Sequence, residues 1–209
     1  MAIHKFKKLF TVTILLIIIL INSGCPKPCN EASLSFNITC SMVPDKDSVH
    51  IGDTVFITSS FSTMLVDQLS GQTINYNYGT DIGSTLSIGQ LIKSDSVPVG
   101  AVNKFKYYKI FGSLYTANTP NPETVQQLTI QRVNDLYQLK IGIIPQDTGV
   151  YALGVGDGLS SNGKNDCGKA AFSITFSNIA QHIYYYQNWR PDINLNAYGK
   201  SRLYCFKVY

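Results

Sequence analysis

From Ser33 the chain alternates, with Leu34, Phe36, Ile38 and Cys40 on one side and Ser35, Asn37 and Thr39 on the other. Strand side chains switch faces at every residue, whereas helical ones repeat about every 3.6, so this pattern predicts a half-buried β-strand. Similar short runs recur to the end of the chain. Strands are expected over Thr54 to Ser60, Thr73 to Tyr78, Leu86 to Ile92 and Asn103 to Leu114, with breaks at Gly71, Gly79, Gly83 and Gly100. Beyond the Thr119 to Pro122 break, strands are expected over Val125 to Val133, Tyr137 to Ile144, Gly149 to Val155, Ala170 to Ser177, His182 to Gln187 and Arg202 to Val208. Met42 to Gly52, with Pro44, Asp45 and Asp47, reads as a loop. Glutamate occurs only at Glu31 and Glu123 while Tyr, Phe, Ser, Thr, Asn and Gly abound, a balance that favours strands and turns. No segment combines a helical period with caps, and no internal repeat is visible. The fold class expected is all-β.

The first residues differ. Met1 to Phe10 holds Lys5, Lys7 and Lys8 and no acid, and Leu9 to Ile21 is an apolar run broken only by two threonines. The run is about 13 residues, short of the roughly 20 that span hydrocarbon, and it reads as a secretory leader. Asn22, Ser23 and Gly24 then precede Cys25. This resembles the bacterial lipoprotein box, although Asn22 stands where that family prefers an aliphatic residue, and an ordinary signal peptidase cutting nearby would leave a soluble protein. The resemblance implies lipid attachment at Cys25, with a diacylglyceryl group on its sulfur and an acyl chain on its amine, enough for stable anchoring. Pro26 follows in place of an aspartate, which implies sorting to the outer membrane, on its periplasmic or its cell-surface face.

The organisation expected is a signal peptide over 1–24, a short tether over 25–32 and a β-sandwich domain over 33–209. With Pro26 and Pro28 the tether has little reach, so the domain stays close to the membrane. The formal charge of +4 includes the three leader lysines, so without them it falls to about +1 and nucleic acid is not an expected partner. The whole resembles the small lipoproteins of Gram-negative bacteria, a family that supplies no activity to carry over.

The stretch Leu139 to Tyr151 contains Asp147-Thr148-Gly149-Val150-Tyr151. It resembles the end of strand E and the start of strand F in immunoglobulin-like domains. The resemblance implies a tyrosine corner built by Asp147, Gly149 and Tyr151, in which the tyrosine hydroxyl bonds the backbone of the preceding turn. Gly52 to Ser59 resembles the opening of strand B, with Ser59 and Leu153 where antibody domains carry their inter-sheet cysteines. Neither is cysteine, and Trp189 lies after the expected strand F, not on strand C. The fold implied is an immunoglobulin-like antiparallel β-sandwich with insertions and a C-terminal strand extension. A different antiparallel β fold with a tight turn at Gln146 to Gly149 is the alternative. In the sandwich the first strand runs parallel beside Ala170 to Ser177, so the resemblance implies a Cys29 to Cys167 disulfide, with Cys40 and Cys205 a second pair or buried thiols.

Catalytic motifs are missing from the sequence: there is no Gly-x-Ser-x-Gly elbow, His-Glu-x-x-His helix, Walker loop or Cys-x-x-Cys pair, and His50 and His182 are the only histidines after the leader. No cofactor or metal is expected. Gly154 to Gly158 reads as a strand-to-strand loop, since no helix follows to cradle phosphate. Two aspartate and asparagine sets, Asp157 with Asn162, Asn165 and Asp166, and Asp45 with Asp47 and Asp53, lack the ordered spacing of a calcium loop and read as solvated turns. The segment His182 to Pro191 gathers aromatics and amides, and Tyr184, Tyr186, Trp189 and Arg190 are its candidate ligand-binding residues. As a strand it would place Tyr184 and Tyr186 on one face and Tyr185 on the other, so part of it must be core.

The function expected is that of a noncatalytic lipid-anchored envelope protein that binds another envelope protein or a ligand, with loops such as Gly156 to Asp166 and Trp189 to Lys200 making contact. One alternative is a glycan-binding accessory lipoprotein using the segment around Trp189. Another is a hydrolase with an unrecognised site, such as a pair of carboxylates.

Overall fold

The computed structural model describes residues 34–161, 169–178 and 180–209. The expected leader and tether, with Cys25 and Cys29, lie outside the described residues, as does Cys167. Where the sequence alternates, strands form. They are β1 (Leu34–Val43), β2 (Ser48–Val49), β3 (Val55–Ser62), β4 (Met64–Val66), β5 (Thr73–Asn75), β6 (Ile82–Gln90), β7 (Val99–Gly100) and β8 (Phe105–Phe111). There follow β9 (Ser113–Thr116), β10 (Val125–Val133), β11 (Leu136–Pro145), β12 (Gly149–Val155), β13 (Gly158–Ser161), β14 (Lys169–Phe176) and β15 (Leu203–Val208). Two short helices, α1 (Tyr184–Trp189) and α2 (Ala197–Ser201), precede β15. Among the described residues no helix is long and apolar enough to cross a membrane.

The protein is an all-β immunoglobulin-like sandwich. In sheet I, β9, β10 and β6 lie side by side, and β12 and β13 share the far edge of β6. From there β12 leads to β15 and β2, and β13 leads to β14 and β1. Sheet II runs β1, β3, β11, β8. Two strands belong to both sheets. β1 pairs in parallel with β14 from Leu34 to Cys40, then antiparallel with β3 from Ser41 to Val43. β10 pairs with β6 up to Ile130 and with β11 from Gln131. Strands that change sheet close the sandwich at its corners.

Between the sheets the alternation becomes a core. Phe36, Ile38, Cys40 and Met42 of β1 face Ile82, Leu86 and Ile88 of β6, Ile57 of β3 and Leu139, Ile141 and Ile143 of β11 in one buried cluster. Aromatic rings fill its centre, with Phe36 5.4 Å from Tyr76 and 5.3 Å from Phe172 between centroids, a spacing at which tilted rings attract. The hairpin β4–β5 is tied to the start of β1 by Asp67, which accepts the Ser35 N–H at 2.8 Å and both the N–H and the hydroxyl of Ser70.

Two expectations are corrected. The strand expected over His182 to Gln187 is the helix α1. Over six residues a period of 3.6 and one of two are hard to separate, and packing decides: Tyr185, Tyr186 and Trp189, spaced four and three apart, share the face that meets Leu91, Ala152 and Cys205. The strand expected over Asn103 to Leu114 is two strands in different sheets, turned at Gly112. There φ is +82°, and a Cβ would stand 2.4 Å from the Thr129 carbonyl oxygen, so only glycine allows the corner.

Candidate functional site

The outer face of sheet II carries apolar side chains in the open. Its strands alternate, so every second residue points away from the core. Val43, Phe56, Gly142 and Tyr108 stand in one rung across β1, β3, β11 and β8. Tyr108 is 60% exposed, Val43 48% and the neighbouring Ile110 41%. The next rung holds Ser41, Thr58, Lys140 and Phe111, and the Lys140 ammonium lies 5.2 Å from the centre of the Phe56 ring, within cation–π range. Where β1 leaves β3 for β14 the sheet opens into a cleft of about 350 Å³, lined by Ser41, Thr58, Ser60, Gln138, Lys140 and Phe111 among others. Hydroxyl, amide and ammonium groups thus border an apolar strip.

Sequence reasoning missed this face. Its signal was present in β8, where Lys106, Tyr108 and Ile110 alternate with Phe105 and Tyr107, but Tyr and Ile at outward positions look like core residues until pairing assigns their side.

The aromatic segment at the C-terminal end is placed differently from the expectation. Trp189 is buried, and its indole N–H donates to the Ile92 carbonyl at 2.6 Å. Arg190 donates to the Ser96 carbonyl and pairs with Asp192, 2.7 Å away. Tyr186 packs on Trp189 edge to face. Tyr184 is exposed, and its hydroxyl donates to Asp47 at 3.0 Å. Three of the four candidate residues therefore fasten α1: Trp189 and Arg190 to the loop between β6 and β7, and Tyr186 with Trp189 against Ala152 and Cys205 of sheet I. A shallow cleft of about 270 Å³ remains beside Trp189, between Leu91, Lys93, Val150, Tyr185 and Asn188.

The Tyr151 hydroxyl points back at its own turn, 3.2 Å from the Asp147 carbonyl and 3.2 Å from that of Thr148. Its single proton is shared between the two, and burial pushes the phenol up to about 12. The Asp147 carboxylate pairs with Lys104 at 2.9 Å; that hydrogen bond, then the lysine charge, hold its pKa below the usual carboxylate value. Gly149 has φ +151° and a Cβ there would stand 2.4 Å from Gln90 Nε2. Ser59 and Leu153 both point inward, Ser59 donating to the Thr39 carbonyl at 2.6 Å.

Cys40 and Cys205 are buried free thiols in separate clusters, one between the sheets and one beneath α1, so the second pair considered from the sequence does not form. The glycine loop after β12 is braced by Arg202, which meets Asp157 at 2.9 Å and lies over the Tyr198 ring.

Taken together, these features define a β-sandwich in which α1 packs on sheet I over Leu91, Ala152 and Cys205 and the outer face of sheet II stays open. No protein-family model matches the chain, and no curated protein matches it in sequence. Among solved structures it is similar to the reeler domain of human F-spondin, at 12% identity and a TM-score of 0.31, covering 73% of this chain and 94% of that one. A type II cohesin domain from the Acetivibrio cellulolyticus cellulosome is similar at 7% identity and TM-score 0.34, over 67% of this chain and 91% of that one. A non-cellulosomal cohesin from Archaeoglobus fulgidus is similar at 12% identity and TM-score 0.32, over 71% and 96%. At such low scores these likenesses carry no functional inference, and the sandwich stands on its own strand pairing.

Proposed function

We propose that this protein is an exported, lipid-anchored module of the Gram-negative envelope that binds another protein and performs no catalysis. The observation that carries the reading is the outward rung of Val43, Phe56 and Tyr108, an apolar strip that a solitary domain gains nothing by exposing. The leader and the small residues before Cys25 support the anchor at the outer membrane, and the shortness of the tether expected behind it supports a partner in the envelope. Burial of Trp189 and the bond on its indole N–H count against the reading in which that segment is a sugar platform.

The test has two arms. Cells fed radioactive palmitate should label the protein, and Cys25→Ser should abolish the label; persistent labelling rules out that anchor. Affinity capture of the anchored protein from crosslinked envelopes should recover one protein in constant ratio, and recovery should fall when Tyr108 is replaced by Ser. Equal recovery with both forms would sink the role of the face.

A further inference from the structure

The partner's chemistry can be taken further, resting on the interaction-module reading. The strands of sheet II, β1, β3, β8 and β11, contain Lys106, Lys109 and Lys140 and no aspartate or glutamate. Acids stand in the turns at their ends, as at Asp53 and Asp135. Among the described residues neither Lys106 nor Lys140 has a carboxylate at ion-pairing distance. Lys140 is held at the border of the two environments, its ammonium over the Phe56 ring and its stem on the lip of the hydroxyl-lined cleft. An ammonium already partly desolvated by an aromatic ring, with hydroxyl donors nearby, favours an incoming carboxylate more than water does.

We infer that this face docks a polypeptide segment in which an acidic residue adjoins an apolar one. The carboxylate meets Lys140 at the cleft, and the apolar side chain lies on the rung of Val43, Phe56 and Tyr108. The cleft offers hydroxyl and amide partners to a sugar and a peptide alike, but only a polypeptide brings an aliphatic or aromatic side chain to lie on Val43, Phe56 and Ile110, so the strip favours polypeptide over acidic polysaccharide. Charge complementarity sets specificity and encounter rate, and the apolar strip sets residence time.

A phage-displayed dodecapeptide library selected against the full-length anchored protein in nanodiscs tests this, with the chosen peptides then synthesised and titrated. Selected peptides should place Asp or Glu beside an aromatic or aliphatic residue. Their affinity should fall about tenfold with Lys140→Glu, less with Lys140→Gln, and weaken with added salt. Both variants should melt as the parent does, since Lys140 lies outside the core. If the peptides are neutral or basic, lose affinity with Tyr108→Ser and ignore Lys140→Glu, the acidic chemistry is overturned while the interaction reading survives. If no peptide is selected, or polygalacturonate binds in a Lys140-dependent way where acidic peptides do not, the inference fails, and the protein-binding reading fails with it only where envelope capture is also unchanged by Tyr108→Ser.

Discussion

The ring of Phe56 lies over Gly142: a Cβ built on the glycine would stand 3.2 Å from Phe56 Cε1 and 2.9 Å from the Thr54 methyl. The absence of a side chain at this one position lets the aromatic ring settle against the sheet and keeps the outer face flat. Replacing Gly142 by Ala should lift the ring and crowd Thr54 and Tyr108 at a buried position, costing about 1–3 kcal/mol, the usual range for overpacking. Thermal unfolding measures the cost, and Phe56 ring resonances in the NMR spectrum report the displacement. An unchanged melting point with unchanged Phe56 shifts would mean that the contact does not constrain the face.

The turn before β12 hangs on one phenol. Tyr151→Phe keeps the buried ring against Phe105, at 4.9 Å between centroids, and removes only the hydroxyl that serves Asp147 and Thr148. The loss should be about 0.5–1.5 kcal/mol, typical of one hydrogen bond, and a melting point lower by roughly 1–6 °C. A variant as stable as the parent would show that solvent satisfies those carbonyls equally well.

Acid should weaken the fold through Asp67. It is buried, only 2% exposed, but both of its carboxylate oxygens accept hydrogen bonds, and those donors outweigh the cost of burial. The Ser35 N–H first, then the Ser70 hydroxyl, hold its carboxyl below the usual carboxylate range. A carboxylate with a lowered folded-state pKa contributes stability above its unfolded pKa and loses it as pH falls through the folded one. Asp147, lowered by Lys104, works in the same direction. Melting points should be flat from about pH 7 to 5 and decline below about 4, and Asp67→Asn should lower the plateau and shallow the decline. A parent protein whose stability rises on acidification through this range would contradict the assignment.

The two buried thiols should be silent in the folded state. Burial pushes both Cys40 and Cys205 up to about 12, so almost no thiolate exists at neutral pH. Iodoacetamide at about pH 8 should leave both unmodified in native protein and alkylate both in denaturant. Rapid native labelling of Cys205 alone would show that α1 opens readily from sheet I, because that thiol lies beneath it.

Alternation made most of the sandwich legible. Val125 to Val133 and Gly149 to Val155 coincide with β10 and β12, and the parallel pairing of β1 with β14 follows the immunoglobulin-like resemblance. Elsewhere local pattern was too short to decide. The six residues of α1 take their period from a groove supplied by Leu91 and Ala152, distant in sequence. The cap of α2, where Asn196 accepts the Gly199 N–H at 2.7 Å, is a readable signal that stood next to a turn-rich stretch. The open face was illegible for another reason: Val43, Phe56 and Tyr108 become neighbours only when three separate strands reach register across Gly142.

Site-specific photo-crosslinking in living cells addresses the binding face most directly. A benzoyl-phenylalanine would replace Tyr108 on the open face in one strain and Tyr198, in α2 beside Asp157 and Arg202, in another. A discrete protein adduct at position 108, lost with Lys140→Glu and absent at position 198, is the result expected. Adducts at position 198 with none at 108 would contradict it, and would move the contact to the loop and helix around Asp157 and Tyr198.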